Sequence, residues 1–295
     1  MKDLSILIPT YNDVCYSLVS QLQQQAFALG IEYEIIVADD GSTNAASIAA
    51  NRAINQFPHC KMIECGTNSG RAAIRNFLAA QAHYEWLLFI DSDMVVCRTD
   101  YLQQYAANED APVVDGGVVI GKRIAGNLRS MYEATAEQEH TAEKRNLSPY
   151  RDFHTANFMI HRDVMQAHPF DLRFRHYGYE DVLFGKRLQQ DQIPICHIDN
   201  PLSFEVFETN ADFVSKSEEG LNTLWQFRNE LKGYSRLLEK ADKLPSYPIC
   251  FWHRIFGRWE RRNLTGSHPS LLVFNLYRMG YFMSLSATAT VQSRK

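Results

Sequence analysis

No two of the six cysteines stand in a Cys-x-x-Cys pair; they fall singly at Cys15, Cys60, Cys65, Cys97, Cys196 and Cys250. That spacing argues against structural zinc and against a dithiol redox centre, and it makes reduced thiols in the cytoplasm the default expectation. No apolar run reaches about 18 residues, which argues against a membrane-spanning helix. The chain enters a strand pattern by residue 4, leaving no room for a signal peptide ahead of it. There is no internal repeat and no low-complexity tract, since the glutamine-rich stretch 21–25 reads as one helix face. A large charge of either sign is also missing. The net charge is −4 over 295 residues, with 45% hydrophobic and 22% charged, which fits an ordinary globular protein and gives no sign of nucleic-acid binding.

Charge is nevertheless uneven. Residues 246–295 carry Arg254, Arg258, Arg261, Arg262, Arg278, Arg294 and Lys295 against Glu260 alone, a net +6 that leaves −10 for the first 245 residues. Such a tail suggests a negatively charged neighbour.

The first hundred residues alternate regularly. Short apolar runs at 4–8, 33–38, 61–64 and 86–90 read as strands, and 14–29, 45–56 and 70–82 between them read as helices. That order predicts an α/β fold with right-handed crossovers and a Rossmann-like, mostly parallel central sheet with helices on both faces. Beyond residue 100, a strand is expected near 113–120 and a helical segment over 127–150. A strand and helix start follow in "HTANFMIHRDV", then a helix from about 181, strands near 195–198 and 202–207, and a helix over 212–240. Pro245 and Pro248 mark the start of the basic tail. The expected organisation is a nucleotide-binding part, 1–100, a second part of the same domain, 101–245, and a helical basic extension, 246–295.

Each early strand ends in polar or turn-forming residues: "PTYND", "DDGSTN", "GTNSGR" and "DSD". Ligands of open α/β sheets bind outside the carboxyl ends of the strands. Turns alone explain Gly41 and Ser42 but not so many acids on one edge. In "WLLFIDSDMVV", Asp91 and Asp93 sit just past a buried strand. Two carboxylates brought close repel each other, and one pKa rises unless a cation lies between them. A hard divalent ion bridging a phosphate is the natural partner; helix capping by one acid and solvation of the other is the plainer alternative.

The motifs "ILIPTYND", "IIVADDGSTN", "NSGRAAIRN", "FIDSDMVV" and "YGYEDVLFGKRL", in this order over about residues 3–208, resemble the family-2 glycosyltransferases of GT-A fold. The resemblance implies an inverting, metal-dependent transferase that moves a sugar from a UDP-sugar to a hydroxyl of a saccharide or lipid-linked saccharide. Carried over by motif, Pro9, Thr10 and Tyr11 flank base and ribose. Asp40, supported by Asp39, accepts from the uracil, Asn68 and Arg71 close the base pocket, and Arg75 helps to position the diphosphate. Asp91 and Ser92 face the nucleotide, and Asp93, with Asp91 and a looser match at His197, holds Mn²⁺ or Mg²⁺. Asp181 matches the catalytic base, Glu180 contacts the acceptor, and Tyr177 and Tyr179 offer ring faces for a sugar. Acids at a helix start also serve as caps, but capping leaves the aromatic approach unexplained.

The chemistry is consistent with those roles: a carboxylate takes the proton of the attacking hydroxyl while a cation steadies the departing diphosphate. Sugar choice is expected to depend on pocket shape near 113–123 and 154–160. Two other classes share some of these features. "LLFIDSDMVV" also looks like the nucleophile strand of haloacid dehalogenase-type phosphatases, a reading that leaves "PTYN" and "DDGS" idle. A degenerate, non-catalytic sugar-binding module is the other.

In the tail, Trp252, Ile255, Phe256 and Trp259 share a helix face and the arginines lie to another side. Such a helix can lie in the headgroup layer of an anionic membrane, giving a cytoplasmic protein peripheral on the inner face of the cell membrane, or it can pack on the catalytic part.

Overall fold

The computed structural model describes residues 1–137 and 139–292; Arg294 and Lys295 of the basic tail lie outside the described residues. The chain opens β1 (Asp3–Thr10), α1 (Tyr16–Leu29), β2 (Glu32–Asp39), α2 (Ala45–Arg52), β3 (Cys60–Glu64), α3 (Arg71–Gln81) and β4 (Trp86–Ile90). There follow β5 (Met94–Val96), α4 (Tyr101–Ala106), β6 (Val113–Asp115), β7 (Val118–Ile120), α5 (Leu128–Glu137), α6 (Ala142–Asn146), β8 (Asn157–His161) and α7 (Arg162–Ala167). The rest is α8 (Glu180–Gln190), β9 (Ile195–His197), β10 (Leu202–Phe204), α9 (Asn210–Gln226), α10 (Arg236–Lys243), α11 (Ser246–Leu264) and α12 (Leu271–Gln292).

Seven strands form the central sheet in the order β3-β2-β1-β4-β8-β6-β9. Only β8 runs antiparallel to its neighbours, so the sheet is mostly parallel. Side chains alternate between two cores, as the two-residue strand period requires. Leu4, Ile6 and Ile8 of β1 face the core under α1 and α4, with Leu88, Ile90 and Met159. Leu7, Leu87, Phe89, Phe158 and Ile160 face the other core, under α3, α7, α8 and α9.

Two expected elements are divided. The apolar run 113–120 breaks at Gly116-Gly117, so β6 stays in the central sheet while β7 joins β5 and β10 in a second, three-stranded sheet. The space at Gly117, whose φ is +80°, is taken by the Arg145 guanidinium, which a Cβ there would overlap. The expected helix over 212–240 ends at Gln226 and resumes as α10. Pro245 and Pro248 are no linker: they sit at the cap and in the first turn of α11, where a missing N–H costs nothing. α11 and α12 fold back on each other and on α9, with Leu264, Phe274 and Tyr277 buried against Leu128 and Val214. Among the described residues, no helix is long and apolar enough to cross a membrane.

Candidate active site

The turns that follow β1, β2 and β3 are tied to one another. Asn12, at φ +56°, accepts from Thr43 N and Asn44 N, both at 2.8 Å, while its own N–H donates to Ser42 Oγ at 2.7 Å. Asp39 accepts from Ser42 N at 2.8 Å and so shapes the turn from below. Asp40 accepts from Ser69 N at 2.8 Å, Ser69 Oγ at 2.7 Å and Gly70 N at 3.0 Å, drawing the third turn onto the second. Gly41 makes that approach possible, since a Cβ at its φ of +73° would stand 2.5 Å from the Thr67 carbonyl carbon. The result is a cavity of about 910 Å³ whose wall includes Pro9, Thr10, Tyr11, Asp40, Asn68, Arg71, Asp91, Ser92 and Asp93.

Asp91 and Asp93 lie in the short turn between β4 and β5 and differ in their surroundings. Asp91 accepts from Arg75 Nη2 at 2.6 Å, and Arg71 stands 3.9 Å from its other oxygen. Arg75, buried in α3, also reaches Glu180 at 3.4 Å, so one guanidinium bridges two carboxylates from different segments. Asp93 has no such partner among the described residues. It is open to cavity water on one side and enclosed by protein on the others. That enclosure, reinforced by the Asp91 charge and only partly offset by Arg129 and Arg71, pushes its carboxyl up to about 6. Such a group is short of a cation.

A second chamber of about 310 Å³ adjoins the first; Arg71, Asp91, Asp93, Arg129 and Tyr177 belong to both walls. Asp181, in the first turn of α8, lines this chamber, as do Val118–Ile120 and His154–Ala156. The turn before α8 takes two successive positive φ values, +95° at Gly178 and +68° at Tyr179. It is held by Thr223 Oγ1, which donates to Tyr177 O at 3.1 Å, and by the close passage of Gly220 on α9. Behind it, Phe184 stacks on Phe170 at 4.4 Å and lies beside Phe153, fixing the start of the helix to the core. Tyr177 turns its ring to Arg71, whose guanidinium carbon lies 5.0 Å from the centroid.

Four expected positions need correction. His197 is buried outside both cavities. Its Nδ1 accepts from Arg145 Nε at 3.2 Å and its Nε2 donates to Pro149 O at 2.8 Å, so neither ring nitrogen is left for a metal. Burial lowers its pKa, consistent with that neutral tautomer. Glu180 lies beneath the chamber floor, paired with Arg75 rather than facing an acceptor; burial and the Asp181 charge push its carboxyl up. Tyr179 lines neither cavity and points to Arg278 of α12. Asp39 is a turn brace, not a wall residue. Arg75 braces Asp91 and Glu180 and also lines the larger cavity.

Several wall residues escaped the sequence reading. Arg129 on α5 spans both cavities, pairs with Glu208 at 2.6 Å and covers the Phe204 ring. Glu133, its carboxyl raised by burial, and His140, its imidazole lowered by burial, face the second chamber from α5 and the loop after it. Their shared spacing of three to four residues, with Tyr132 and Ala136, was the available signal; it reads equally well as a solvated helix face.

Among the described residues no group of three or more His, Cys, Asp or Glu could hold a metal ion. The protein donors in reach are the two carboxylates of the β4–β5 turn, a set that suits a hard cation completing its shell with water and phosphate oxygens. As a phosphatase nucleophile, Asp91 would have to be free, and Arg75 holds it.

The model of Glycosyl transferase family 2 matches residues 5–168. The poly(ribitol-phosphate) beta-N-acetylglucosaminyltransferase TarS of Staphylococcus aureus is 31% identical over 169 residues, 53% of this chain and 28% of that protein. The chain thus spans less than a third of that curated relative's length. Among solved structures, TarS 1-349 of S. aureus in complex with UDP-GlcNAc superposes with a TM-score of 0.52 at 17% identity, covering 98% of this chain and 92% of that one. The mannosyltransferase PcManGT of Pyrobaculum calidifontis, in complex with GDP-Man and Mn²⁺, gives 0.58 at 14% identity over 99% and 88%. At these identities the likeness shows the fold, which is GT-A.

Proposed function

Since this chain belongs to glycosyl transferase family 2, we propose that it transfers a sugar, with inversion, from a nucleotide-sugar, a UDP-sugar in particular, to a hydroxyl of a saccharide or lipid-linked saccharide. What carries the reading is that Asp93 and Asp181, 88 positions apart and on different elements, face the same chamber, which is continuous with a larger cavity along the strand ends. TarS, whose structure was solved with UDP-GlcNAc, supports the choice of donor.

In this reading the nucleotide lies in the larger cavity against Pro9, Thr10, Tyr11 and Asn68, with the remaining lone pair of Asp40 Oδ2 available to the base. Arg71 stands at the junction of the two chambers, where the diphosphate would lie. Asp93, assisted by Asp91, would hold Mg²⁺ or Mn²⁺, which when bound offsets the charge that grows on the departing diphosphate. Without a histidine ligand the donor set does not favour Mn²⁺ over Mg²⁺, although the PcManGT structure holds Mn²⁺.

The acceptor hydroxyl enters the second chamber and attacks the anomeric carbon opposite the nucleotide. Asp181 takes its proton, the new glycosidic bond forms as the bond to the diphosphate breaks, and the nucleoside diphosphate leaves with the electron pair. The turn at Gly178-Tyr179 and the phenylalanine stack behind Phe184 hold the base in place; Tyr177 borders both compartments and can pack on the sugar between them.

A thermal-shift screen of nucleotide-sugars with and without Mn²⁺, followed by turnover of the stabilising donor, tests the proposal. Asp181→Asn is expected to keep donor stabilisation and lose about 10²- to 10⁴-fold in turnover. A wild-type protein stabilised by no donor and releasing no nucleoside diphosphate would favour the non-catalytic module instead.

A further inference from the structure

α11 is amphipathic in an inverted sense. The face it turns to α12 is narrow and partly polar: His253, Glu260 and Leu264, with Glu260 only 1% exposed. Glu260 accepts from Trp252 Nε1 at 2.8 Å and meets His253 Nδ1 at 3.2 Å. Gly257 and Gly280 make room for the imidazole, since a Cβ at either would crowd it. The only carboxylate of the helix is therefore sealed inside the hairpin.

Its large apolar side chains go the other way. Tyr247, Phe251, Trp252, Ile255, Phe256 and Trp259 are all exposed, from 38% at Phe256 to 81% at Tyr247. They run along about 18 Å of helix at 1.5 Å per residue. A contiguous apolar stripe of this kind on a soluble chain marks an interaction surface. Arginines border it on one side: Arg254, Arg258 and Arg262 make no ion pair among the described residues, and Arg261 pairs with Glu218 at 2.9 Å.

We propose that α11 docks flat on an anionic lipid bilayer, its aromatic stripe entering the headgroup–acyl boundary and its arginines meeting the lipid phosphates. Charge selects this occupant. An isologous contact of α11 with a second copy would set arginines against arginines, whereas anionic headgroups complement them. The first 245 residues carry −10, so the same surface that attracts the helix repels the body and orients the molecule. Aromatic residues beside arginines are also the composition that interfacial helices use, with binding that grows with buried apolar area and with lipid charge. This inference stands independently of the reaction proposed above.

The test is flotation of the full chain with vesicles of phosphatidylcholine alone, or of equal parts phosphatidylcholine and phosphatidylglycerol. The chain is expected to float with the anionic vesicles, to stay behind with the neutral ones, and to be released in part by salt. Phe251→Ser/Ile255→Ser/Trp259→Ser is expected to lower partitioning by about tenfold or more. Arg254→Glu/Arg258→Glu/Arg262→Glu is expected to abolish the preference for anionic lipid. Circular dichroism and the melting temperature check both variants; should the serine variant unfold, the arginine variant, altered only at exposed side chains, decides alone. Failure of the wild type to float with anionic vesicles, or flotation of the arginine variant like wild type, overturns the proposal. So does a wild-type dimer, seen by light scattering without vesicle binding, that the serine variant converts to monomer.

Discussion

Arg75 carries more of the site than its position in a helix would suggest. Its guanidinium neutralises Asp91 on one side and Glu180 on the other, both within α3's buried reach. Removing it strands two carboxylates. Arg75→Met should cost about 3–5 kcal/mol, the usual penalty for breaking a buried pair, and Arg75→Met/Glu180→Leu should recover part of it because the stranded acid goes too. Urea denaturation of the two variants measures the difference. Asp93 makes the opposite case, an acid with no ion-pair partner among the described residues. Its folded value of about 6 lies above the ordinary 3.8. Folding therefore favours its protonated form: the contribution is present in full below the ordinary value and is lost as pH rises through about 6. Cavity water screens the group, so the effect on stability is modest. In divalent-free buffer, the melting temperature of Asp93→Asn should rise relative to wild type as pH increases across that window. Stabilisation by Mn²⁺ should grow over the same window in wild type and be absent in the variant, as melting curves with and without the ion would record.

Among the elements, α8 shows how a site is aimed. The acid in its first turn faces the chamber because Phe184, one turn on, is locked into the Phe153–Phe158–Phe170 stack. Phe184→Ala should cost about 3–5 kcal/mol and also lower turnover, since the helix start loses its anchor; chemical denaturation beside initial rates tests the two together. The strands and helices of the first hundred residues were legible because each carries its own signal, an apolar run or a polar strand end. The wall of the larger cavity was legible for the same reason: Pro9–Tyr11, Asp40, Asn68 and Asp91–Asp93 occupy local motifs. What sequence could not give depends on distant partners. The run 113–120 looks continuous, but Gly117 yields its space to Arg145 and the chain changes sheets there. His197 closes the strand β9 where a ligand could stand, yet Arg145 and Pro149, about 50 positions away, take both its nitrogens. Glu180 and Asp181 are adjacent in sequence but face opposite ways, and only the position of Arg75 separates their roles. Arg129 and Glu133 reach the second chamber from a helix that carries no motif, whereas His154–Ala156 lie in the stretch expected to shape the pocket.

At the scale of the whole molecule, the basic tail is less separable than its composition suggests. α12 buries Phe274, Tyr277 and Phe282, and its Arg278 bonds the Tyr132 hydroxyl at 3.2 Å while lying beside Tyr179. A chain ending at Leu244 would uncover α9 and leave that guanidinium's place empty, so it should melt well below the full chain and expose apolar surface to a dye such as ANS, a comparison a thermal scan makes directly. The Arg278 contact has a further consequence. The same helix that backs the outward-facing aromatic stripe also props, through Tyr179, the bend that precedes Asp181. One beam thus carries both the exposed stripe and the Asp181 bend, and an engineer who saws off the tail also loosens the chamber wall.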